Sequence, residues 1–497
     1  MAPYFLRNLI PRREKKEEGR PLLTVIRELT WIQWALFFSG WLAWTCDAVD
    51  FFSVSLSVTR LKDQFHKDSV SDITTSITLT LLFRSVGAVV FGIISDRFGR
   101  KWPLVWNLVL CGVLELGSGF VQTFKQFLAV RSLFGVAMGG IWGLASATAL
   151  ENLPVETRGL ASGVLQQGYA AGYLFAACMN LRLVPETSTT WRTLFWAASG
   201  MSFFAAAVRA VLPESEVFVR AKAAERARGT DTTKKTKVFI HEIGVMLKTH
   251  WLLVIYAILL MTGFNFLSHG SQDLYPTYLQ ESKGFDSYHS TVATIISNCG
   301  AITGGALAGF VSQYIGRRLT IVIFVLWLGA FIPLWIIPST FGGLSAGAFF
   351  VQFGVQGAWG VIPIQLGEIS PPAFRATFPG VAYQVGNMVS SASAQIEATG
   401  GNNLRTTIRD PATGELKDVP DYATVQGILI GVVAAFVLII TIIGPENHSS
   451  HFEKHKTAFE EGGGDDNAVV DEEATPDSPG SIRSVDEKAI DEKREHV

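Results

Sequence analysis

The chain has 497 residues, a formal net charge of −2, and a composition that is 48% hydrophobic and only 17% charged. The charges are concentrated in a few short stretches, and the long segments between them have no polar face wide enough to meet water. This distribution excludes an ordinary soluble domain and predicts an integral membrane protein.

Several functional classes can be set aside. A basic N-terminus and an acidic C-terminal tail give no sign of binding to nucleic acid. The sequence contains no nucleophile elbow, phosphate-binding loop or cluster of metal ligands, so an enzyme is not expected. The four cysteines lie in apolar surroundings without metal-ligand spacing, so we expect neither a redox role nor a cofactor.

Twelve apolar windows of about 20 residues, the length that crosses a bilayer, follow one another along the chain. The predicted spans are 33–57, 74–95, 102–121, 126–148, 158–180, 192–212, 251–279, 289–313, 318–337, 341–364, 376–398 and 423–443. The predicted organisation is a basic N-terminus (1–32), a six-helix half (33–212), a central loop (213–250), a second six-helix half (251–445) and a disordered acidic tail (446–497).

Lysines and arginines predict the orientation in the membrane. They are enriched before the first span, after the second and eighth spans, and in the central loop, so the positive-inside rule places these segments and both termini in the cytoplasm. No apolar segment with a cleavage site precedes the first span, so the N-terminus is expected to stay in the cytoplasm. We expect a multi-pass plasma-membrane protein whose cytoplasmic tails are available to ubiquitin-ligase adaptors.

The two halves of the chain repeat one another at one constant offset. The matching positions are Gly92 and Gly309, Trp142 and Trp359, Glu151 and Glu368, Pro154 and Pro371, and Arg158 and Arg375. Independent matches at the same spacing indicate an internal duplication, which is typical of transporters built from two related halves.

The segment 92–101 resembles the loop motif between the second and third helices of the major facilitator superfamily. The resemblance implies an all-α membrane protein with the major facilitator fold: twelve transmembrane helices in two pseudo-symmetric six-helix halves. It also implies that charge pairs at the cytoplasmic mouth act as a gate, whereas the alternative is that these charges only orient the chain. The expected gating residues are Asp96, Arg97, Arg100, Glu151, Arg158, Glu368 and Arg375. In the second copy Gln313 and Tyr314 replace the aspartate and arginine, so its contribution is expected to be weaker.

Arg84 lies in the middle of the second span, where a charged side chain costs about 2.5 to 3.5 kcal/mol. It must therefore face a cavity or a partner. A guanidinium group can bind a carboxylate through two parallel hydrogen bonds, which would make Arg84 a substrate-binding residue. The alternative is a structural ion pair with Asp47 or Asp50 of the first span.

The seventh span carries a polar stripe on an otherwise apolar helix. Its members, Asn265, His269, Gln272 and Asp273, fall within about 100° of arc, a pattern typical of a helix that lines a water-filled path. His269 and Asp273 are one helical turn apart and can share a proton, since histidine titrates near neutral pH.

The segment from Asn265 to Thr277 matches every defined position of the pattern Asn-x-x-Ser/Thr-His-x-Ser/Thr-Gln-Asp-x-x-x-Thr. In this it resembles the signature of the fungal Jen family of carboxylate:proton symporters. The resemblance implies that this segment belongs to a substrate and proton pathway. It also implies that two residues of the eleventh span and the arginine of the second span take part in that pathway. The implicated residues are Arg84, Asn265, His269, Gln272, Asp273, Gln384 and Asn387.

The expected function is therefore symport of a short-chain monocarboxylate (lactate, pyruvate, acetate or propionate) with protons as the coupling ion, by alternating access. Moving an anion into a negative-inside cell costs about 2.3 kcal/mol per 100 mV, and one accompanying proton cancels this cost. A dicarboxylate such as succinate or malate, or a sialate-like acid, is the alternative substrate. A nutrient sensor that binds an acid without transporting it is the alternative of another class.

Overall fold

The computed structural model describes residues 21–215, 218–219, 232–371, 374, 377–409 and 415–446. Within these ranges the side chains at positions 96, 97, 155, 232–237, 239, 240 and 409 are not described. The chain divides into two units. The first comprises Met1–Arg228, Leu252–Ser370 and Ala376–Ser449, and contains the helices predicted to span the membrane. The second comprises Gly229–Trp251, Pro371–Arg375 and Ser450–Val497.

The first half of the chain folds into helices joined by short connections. They are α1 (Leu22–Glu28), α2 (Trp31–Ser55), α3 (Val58–Gln64), α4 (Val70–Phe98), α5 (Lys101–Ser118), α6 (Phe124–Met138), α7 (Ile141–Leu150), α8 (Val155–Glu186) and α9 (Trp191–Val211). Several begin at a side chain that accepts a first-turn N–H, as Thr30 does from Gln33 and Thr123 from Gln126. The stretch predicted as a central loop contains a further helix, α10 (Thr232–Thr249).

The second half repeats this arrangement and adds a hairpin. Its helices are α11 (Trp251–Gln272), α12 (Tyr275–Glu281), α13 (Ser287–Ile315), α14 (Arg317–Ile336), α15 (Phe341–Gly360), α16 (Ile362–Ile369), α17 (Thr377–Ser390), α18 (Ser393–Asn403) and α19 (Tyr422–Ile443). Strands β1 (Arg405–Arg409) and β2 (Leu416–Pro420) pair antiparallel between the last two helices.

Each of the twelve predicted spans coincides with one helix or with two consecutive helices. In the described part of the chain, eight helical stretches are long and apolar enough to cross a membrane, judged by length and composition. They are Val70–Ser95, Phe124–Leu150, Trp191–Val211, Trp251–Glu281, Ser287–Ile315, Arg317–Ile336, Phe341–Ile369 and Tyr422–Ile443. The all-α prediction is confirmed, and the predicted N-terminus up to residue 20 and the tail from residue 447 lie outside the described residues.

Several spans are interrupted, and the interruptions recur in the two halves. The first and seventh spans break between α2 and α3 and between α11 and α12, and the fourth and tenth break between α6 and α7 and between α15 and α16. Pro276 and Pro363 lie in the first turn of the helices that resume, where the missing N–H of proline is tolerated. Broken helices at membrane depth are found where the backbone is buried in protein or lines a cavity.

Glycines allow helices within each half to approach closely. A Cβ atom at Gly139 would lie 2.0 Å from the carbonyl oxygen of Arg84 in α4, and one at Gly304 would lie 2.2 Å from the carbonyl oxygen of Phe353 in α15. These distances leave no room for a methyl group. Small residues at such crossings are the usual means by which membrane helices pack.

Gly139→Ala is therefore expected to destabilise the protein by about 1 to 3 kcal/mol, because the added methyl group overpacks the contact with α4. Gly200→Ala is the matched control, since a Cβ atom there would meet nothing within 4 Å. The measurement is the thermal unfolding midpoint of both variants in detergent. Equal midpoints would show that the helix crossing tolerates the extra group.

Candidate functional site

The polar stripe of the seventh span is buried inside the protein. The Nδ1 atom of His269 lies 3.0 Å from a carboxylate oxygen of Asp273, and its Nε2 atom lies 3.0 Å from the amide oxygen of Asn387. None of the three side chains is more than 3% exposed. Because Asn387 donates its amide nitrogen to Gln384, it presents its oxygen to Nε2 of His269, which can donate to it, while Nδ1 faces the Asp273 carboxyl and can share a proton with it.

The eleventh span connects this pair to the other half of the protein. The amide nitrogen of Asn387 donates to the side-chain oxygen of Gln384 (2.8 Å), and Gln384 donates in turn to the carbonyl oxygen of Gly139 (3.1 Å). Gly139 lies where α6 ends, so the interruption of the fourth span supplies the acceptor. A continuous hydrogen-bonded chain thus runs from Asp273 to the first half.

The other two members of the stripe face different neighbours. Gln272 accepts from the Ser268 hydroxyl (2.8 Å) and donates to Gln352 of α15 (2.9 Å). Asn265 donates to the backbone oxygen of Tyr383 (3.2 Å). Gln352 was not predicted from the sequence, although a glutamine in the middle of an apolar span is a signal for such a residue.

Arg84 forms the ion pair that the sequence offered as an alternative to substrate binding. One of its terminal nitrogens lies 2.9 Å from a carboxylate oxygen of Asp47, and both side chains are buried. Asp50 instead accepts from the Ser202 hydroxyl at 2.8 Å. The guanidinium also lies 6.0 Å from the ring centre of Tyr383, whose backbone oxygen accepts from Asn265. The Arg84–Asp47 ion pair therefore lies next to the polar stripe of the seventh span.

A small cavity lies between the two halves, within the first unit. Its lining residues are Trp44, Gln166, Tyr169, Asn265, Ser268, His269, Trp359 and Tyr383. The walls are held by aromatic contacts: Trp44 stacks on Tyr169 with ring centres 5.2 Å apart. The sequence analysis missed these aromatic residues, because an aromatic side chain on a membrane helix has the same pattern whether it packs or lines a site.

The two halves are in contact on both sides of the cavity. We call the end that carries Arg100 and Arg317 the motif side, and the end that carries β1 and β2 the hairpin side. On the hairpin side, Lys62 and Glu281 form an ion pair of 3.0 Å between the halves. On the motif side, a Cβ atom at Gly309 would lie 2.8 Å from the Cα atom of Gly163, so α8 and α13 touch. The halves thus touch at both ends, and we call this the occluded arrangement.

The predicted gating residues form contacts on the motif side. Arg100 pairs with Glu151 at 3.0 Å, and Arg158 donates to the carbonyl oxygen of Leu153 at 2.9 Å. In the second copy, two nitrogens of Arg317 each lie 3.0 Å from an oxygen of Glu368. The side chains of Asp96 and Arg97, and Arg375 as a whole, lie outside the described residues, so a gating role for the set stays a prediction.

Two carboxylates that the sequence analysis missed support these loops. Glu214 accepts the backbone N–H groups of Arg100 and Lys101, at 3.1 and 3.0 Å. Glu446 accepts those of Arg317 and Arg318, at 2.8 and 2.9 Å. Each carboxylate therefore neutralises the positive end of a helix. The signal was a Pro-Glu pair that follows both the sixth and the twelfth span.

Comparison with known proteins assigns a family and a fold. Residues 22–459 match the sequence family that is described as "Sugar (and other) transporter". The xylose transporter XylE from E. coli, in a partially occluded inward-open conformation, aligns with a TM-score of 0.63 at 17% identity, covering 84% of this chain and 99% of that chain. The proton:xylose symporter XylE of the major facilitator superfamily, bound to 6-bromo-6-deoxy-D-glucose, has the same TM-score. The predicted major facilitator fold is thereby confirmed.

Relatives in sequence are named as transporters of organic acids. The carboxylic acid transporter protein homolog of Saccharomyces cerevisiae is 34% identical over 95% of this chain and 78% of its own length. The cis,cis-muconate transport protein of Acinetobacter baylyi is 26% identical over 74% of this chain and 88% of its own length. The sialic acid transporter NanX of Escherichia coli is 25% identical over 70% of this chain and 82% of its own length.

The buried Arg84–Asp47 pair can be tested by a double-mutant cycle. Arg84→Gln or Asp47→Asn alone leaves a buried charge without its partner, which is expected to cost about 3 to 5 kcal/mol of stability. The double variant leaves no charge at the pair and is expected to be more stable than the sum of the two losses predicts. Thermal unfolding in detergent measures all three variants. Additive losses would show that the two side chains act independently.

Proposed function

Since the chain belongs to the sugar (and other) transporter family of the major facilitator superfamily, we propose that it carries a small carboxylic acid together with a proton across the plasma membrane by alternating access. The observation that carries the proposal is the buried His269–Asp273 pair, joined to Asn387 at the wall of the small cavity. The proposal requires no cofactor besides the proton.

The pair suits proton coupling because it holds one exchangeable proton. A proton shared between a histidine nitrogen and a carboxylate leaves the pair neutral overall, whereas its release leaves a negative charge without a counter-charge in the membrane, so release is favoured when the site opens to water. An acid that enters as an anion would bring a negative charge into this buried site. Taking up a proton at the same time cancels both that charge and the electrical cost of about 2.3 kcal/mol per 100 mV.

Arg84 is the group proposed to bind the carboxylate. It uses one terminal nitrogen for Asp47, while its Nε atom has no hydrogen-bond partner in the described part of the chain. A guanidinium with a free donor can add a carboxylate without giving up the ion pair. Tyr383 lines the cavity and its ring centre lies 6.0 Å from the Arg84 guanidinium, so we infer that a substrate carboxylate reaches Arg84 beside this ring or by displacing it.

The cavity favours a short-chain monocarboxylate such as lactate or pyruvate, with acetate and propionate in the same class. Its described lining consists of aromatic and neutral polar residues plus His269, without a lysine or arginine. A dicarboxylate would bring a second negative charge that this lining leaves unpaired. The name of the yeast relative supports a carboxylic acid, whereas the muconate and sialic acid relatives make larger acids the substrates to test against it.

The deciding experiment is uptake by vesicles that contain the purified protein, under an imposed pH gradient. Labelled lactate, pyruvate and acetate are expected to accumulate with co-movement of protons, and succinate, muconate and sialate are expected to accumulate less. Stronger accumulation of the second group would overturn the substrate class. Binding of an acid without movement of acid or protons would indicate a sensor instead.

Asp273→Asn separates coupling from binding. Asparagine keeps the size of the side chain but cannot hold the exchanged proton, so accumulation against a gradient is expected to be abolished while exchange of substrate across the membrane persists. Gln272→Ala is the control, because it removes a neutral member of the same stripe and is expected to raise KM with proton dependence retained. Counterflow and pH-driven uptake measure the two activities. An Asp273→Asn variant that still concentrates substrate would rule out Asp273 as the coupling site.

Arg84→Lys tests the carboxylate site. Lysine keeps the positive charge next to Asp47 but lacks the planar group that binds two acceptors side by side, so KM is expected to rise about tenfold or more while the protein still reaches the membrane. The measurement is the concentration dependence of uptake. An unchanged KM would assign Arg84 to the ion pair alone.

A further inference from the structure

A buried carboxyl group also lies in the eleventh span, away from the lining of the cavity. Glu397 of α18 is fully buried. The amide nitrogen of Gln426 donates to one of its oxygens at 2.9 Å, and the hydroxyl of Ser393 lies 3.3 Å from the other. Among the residues that the structure describes, no lysine, arginine or histidine forms an ion pair with this carboxyl.

The surroundings of Glu397 supply hydrogen bonds but no positive charge. The Trp335 indole donates to the oxygen of Gln426 at 3.1 Å and thereby aims the amide nitrogen at Glu397. The titratable groups that face Glu397 are Asp273 of the seventh span and Tyr422 of α19, and neither is a cation. An ionised carboxylate buried in this way costs several kcal/mol. Glu397 therefore holds a proton in the occluded arrangement, and the O–H of the protonated acid can donate a hydrogen bond to the Ser393 hydroxyl when that hydroxyl turns its own hydrogen away.

The helix that carries Glu397 also closes the hairpin side. Gln395 accepts from the Thr74 hydroxyl at 2.6 Å, and Asn402 donates to the Ser69 hydroxyl at 3.0 Å, so α18 is bonded to the start of α4 in the other half. The eleventh span is interrupted between α17 and α18, which allows α18 to move separately. Opening of the hairpin side must break these bonds and shift the helix on which Glu397 lies.

We propose that Glu397 is a second proton-binding site, distinct from the His269–Asp273 pair, and that the hairpin side closes only when Glu397 is protonated. The proposal rests on the proposed function in assuming a carrier that opens toward the hairpin side during its cycle. When α18 moves away, Glu397 can release its proton to the medium on that side. Return of an ionised Glu397 to its site beside Gln426 would bury an unpaired charge, so closure requires the proton to return first.

The test measures opening of the hairpin side directly. Thr74→Cys places a thiol at the contact with Gln395, in a parent protein whose exposed Cys178 and Cys299 are replaced by alanine. The rate of labelling by an impermeant maleimide, divided by that of a free thiol at the same pH, is expected to rise about tenfold when the pH increases by about two units. Adding Glu397→Gln, which keeps the neutral shape of the protonated acid, is expected to hold this rise below about twofold.

Glu186→Gln is the matched control, because Glu186 is an exposed carboxyl at the hairpin-side end of α8. This substitution is expected to leave the rise in labelling rate with pH unchanged. A full tenfold rise in labelling rate in the Glu397→Gln protein would overturn the proposal.

If that variant does not reach the membrane, a second measurement uses the parent protein. A hydrophobic carbodiimide reacts with protonated carboxyls, so modification of Glu397 is expected to fall as pH rises. Modification that is independent of pH would refute the proposal. Neither measurement uses a transported acid, so both remain interpretable if no acid is carried.

Discussion

Lipid offers no hydrogen-bond partners, so every polar group at membrane depth must be satisfied within the protein. Much of the buried polar surface follows that constraint. Some charged groups form ion pairs, as Arg84 does with Asp47 and Arg131 with Glu115, where the closest atoms of the second pair are 2.6 Å apart. Neutral groups form hydrogen-bonded chains, as from Asn387 through Gln384 to the carbonyl oxygen of Gly139. The site is the place where these two kinds of arrangement meet.

The same constraint explains how the two halves are connected by hydrogen bonds. The chain of hydrogen bonds from Asp273 through His269 and Asn387 ends on the carbonyl oxygen of Gly139, which is available because the fourth span is interrupted there. A protonation change at Asp273 alters the donors and acceptors along the chain. Rocking of the halves must break or rearrange the same bonds. In the proposed transport cycle, proton binding and movement are therefore linked by shared contacts.

The two ends of the cavity are closed by different chemistry. On the motif side, α8 and α13 touch through glycine backbones, and ion pairs such as Arg100–Glu151 hold loops within a half. On the hairpin side, polar side chains join the halves, among them Lys62 with Glu281 and Thr74 with Gln395. The described contacts between the halves on the motif side also include neutral side chains, such as the Ser162 hydroxyl, which donates to the carbonyl oxygen of Gly360 at 3.1 Å. The proposed effect of proton concentration on closure is placed on the hairpin side because Glu397 lies there.

Several features of the fold and of the site could be predicted from the sequence alone. The length of an apolar run and the period of a helix are local properties, so the spans, the duplication and the polar stripe from Asn265 to Asp273 could be predicted from the order of residues. The contact between His269 and Asp273 belongs to the same class, because one helical turn separates them.

Only the tertiary structure decided which partners these groups meet on other helices. Arg84 pairs with Asp47 and not with Asp50, and Gln272 turns toward Gln352. Glu397 likewise accepts from Gln426 of α19, a helix that the β1–β2 hairpin separates from α18 along the chain. Such contacts depend on the rotation and crossing of helices that are distant in sequence. These are set by the packing of the whole bundle, which no local pattern of residues encodes.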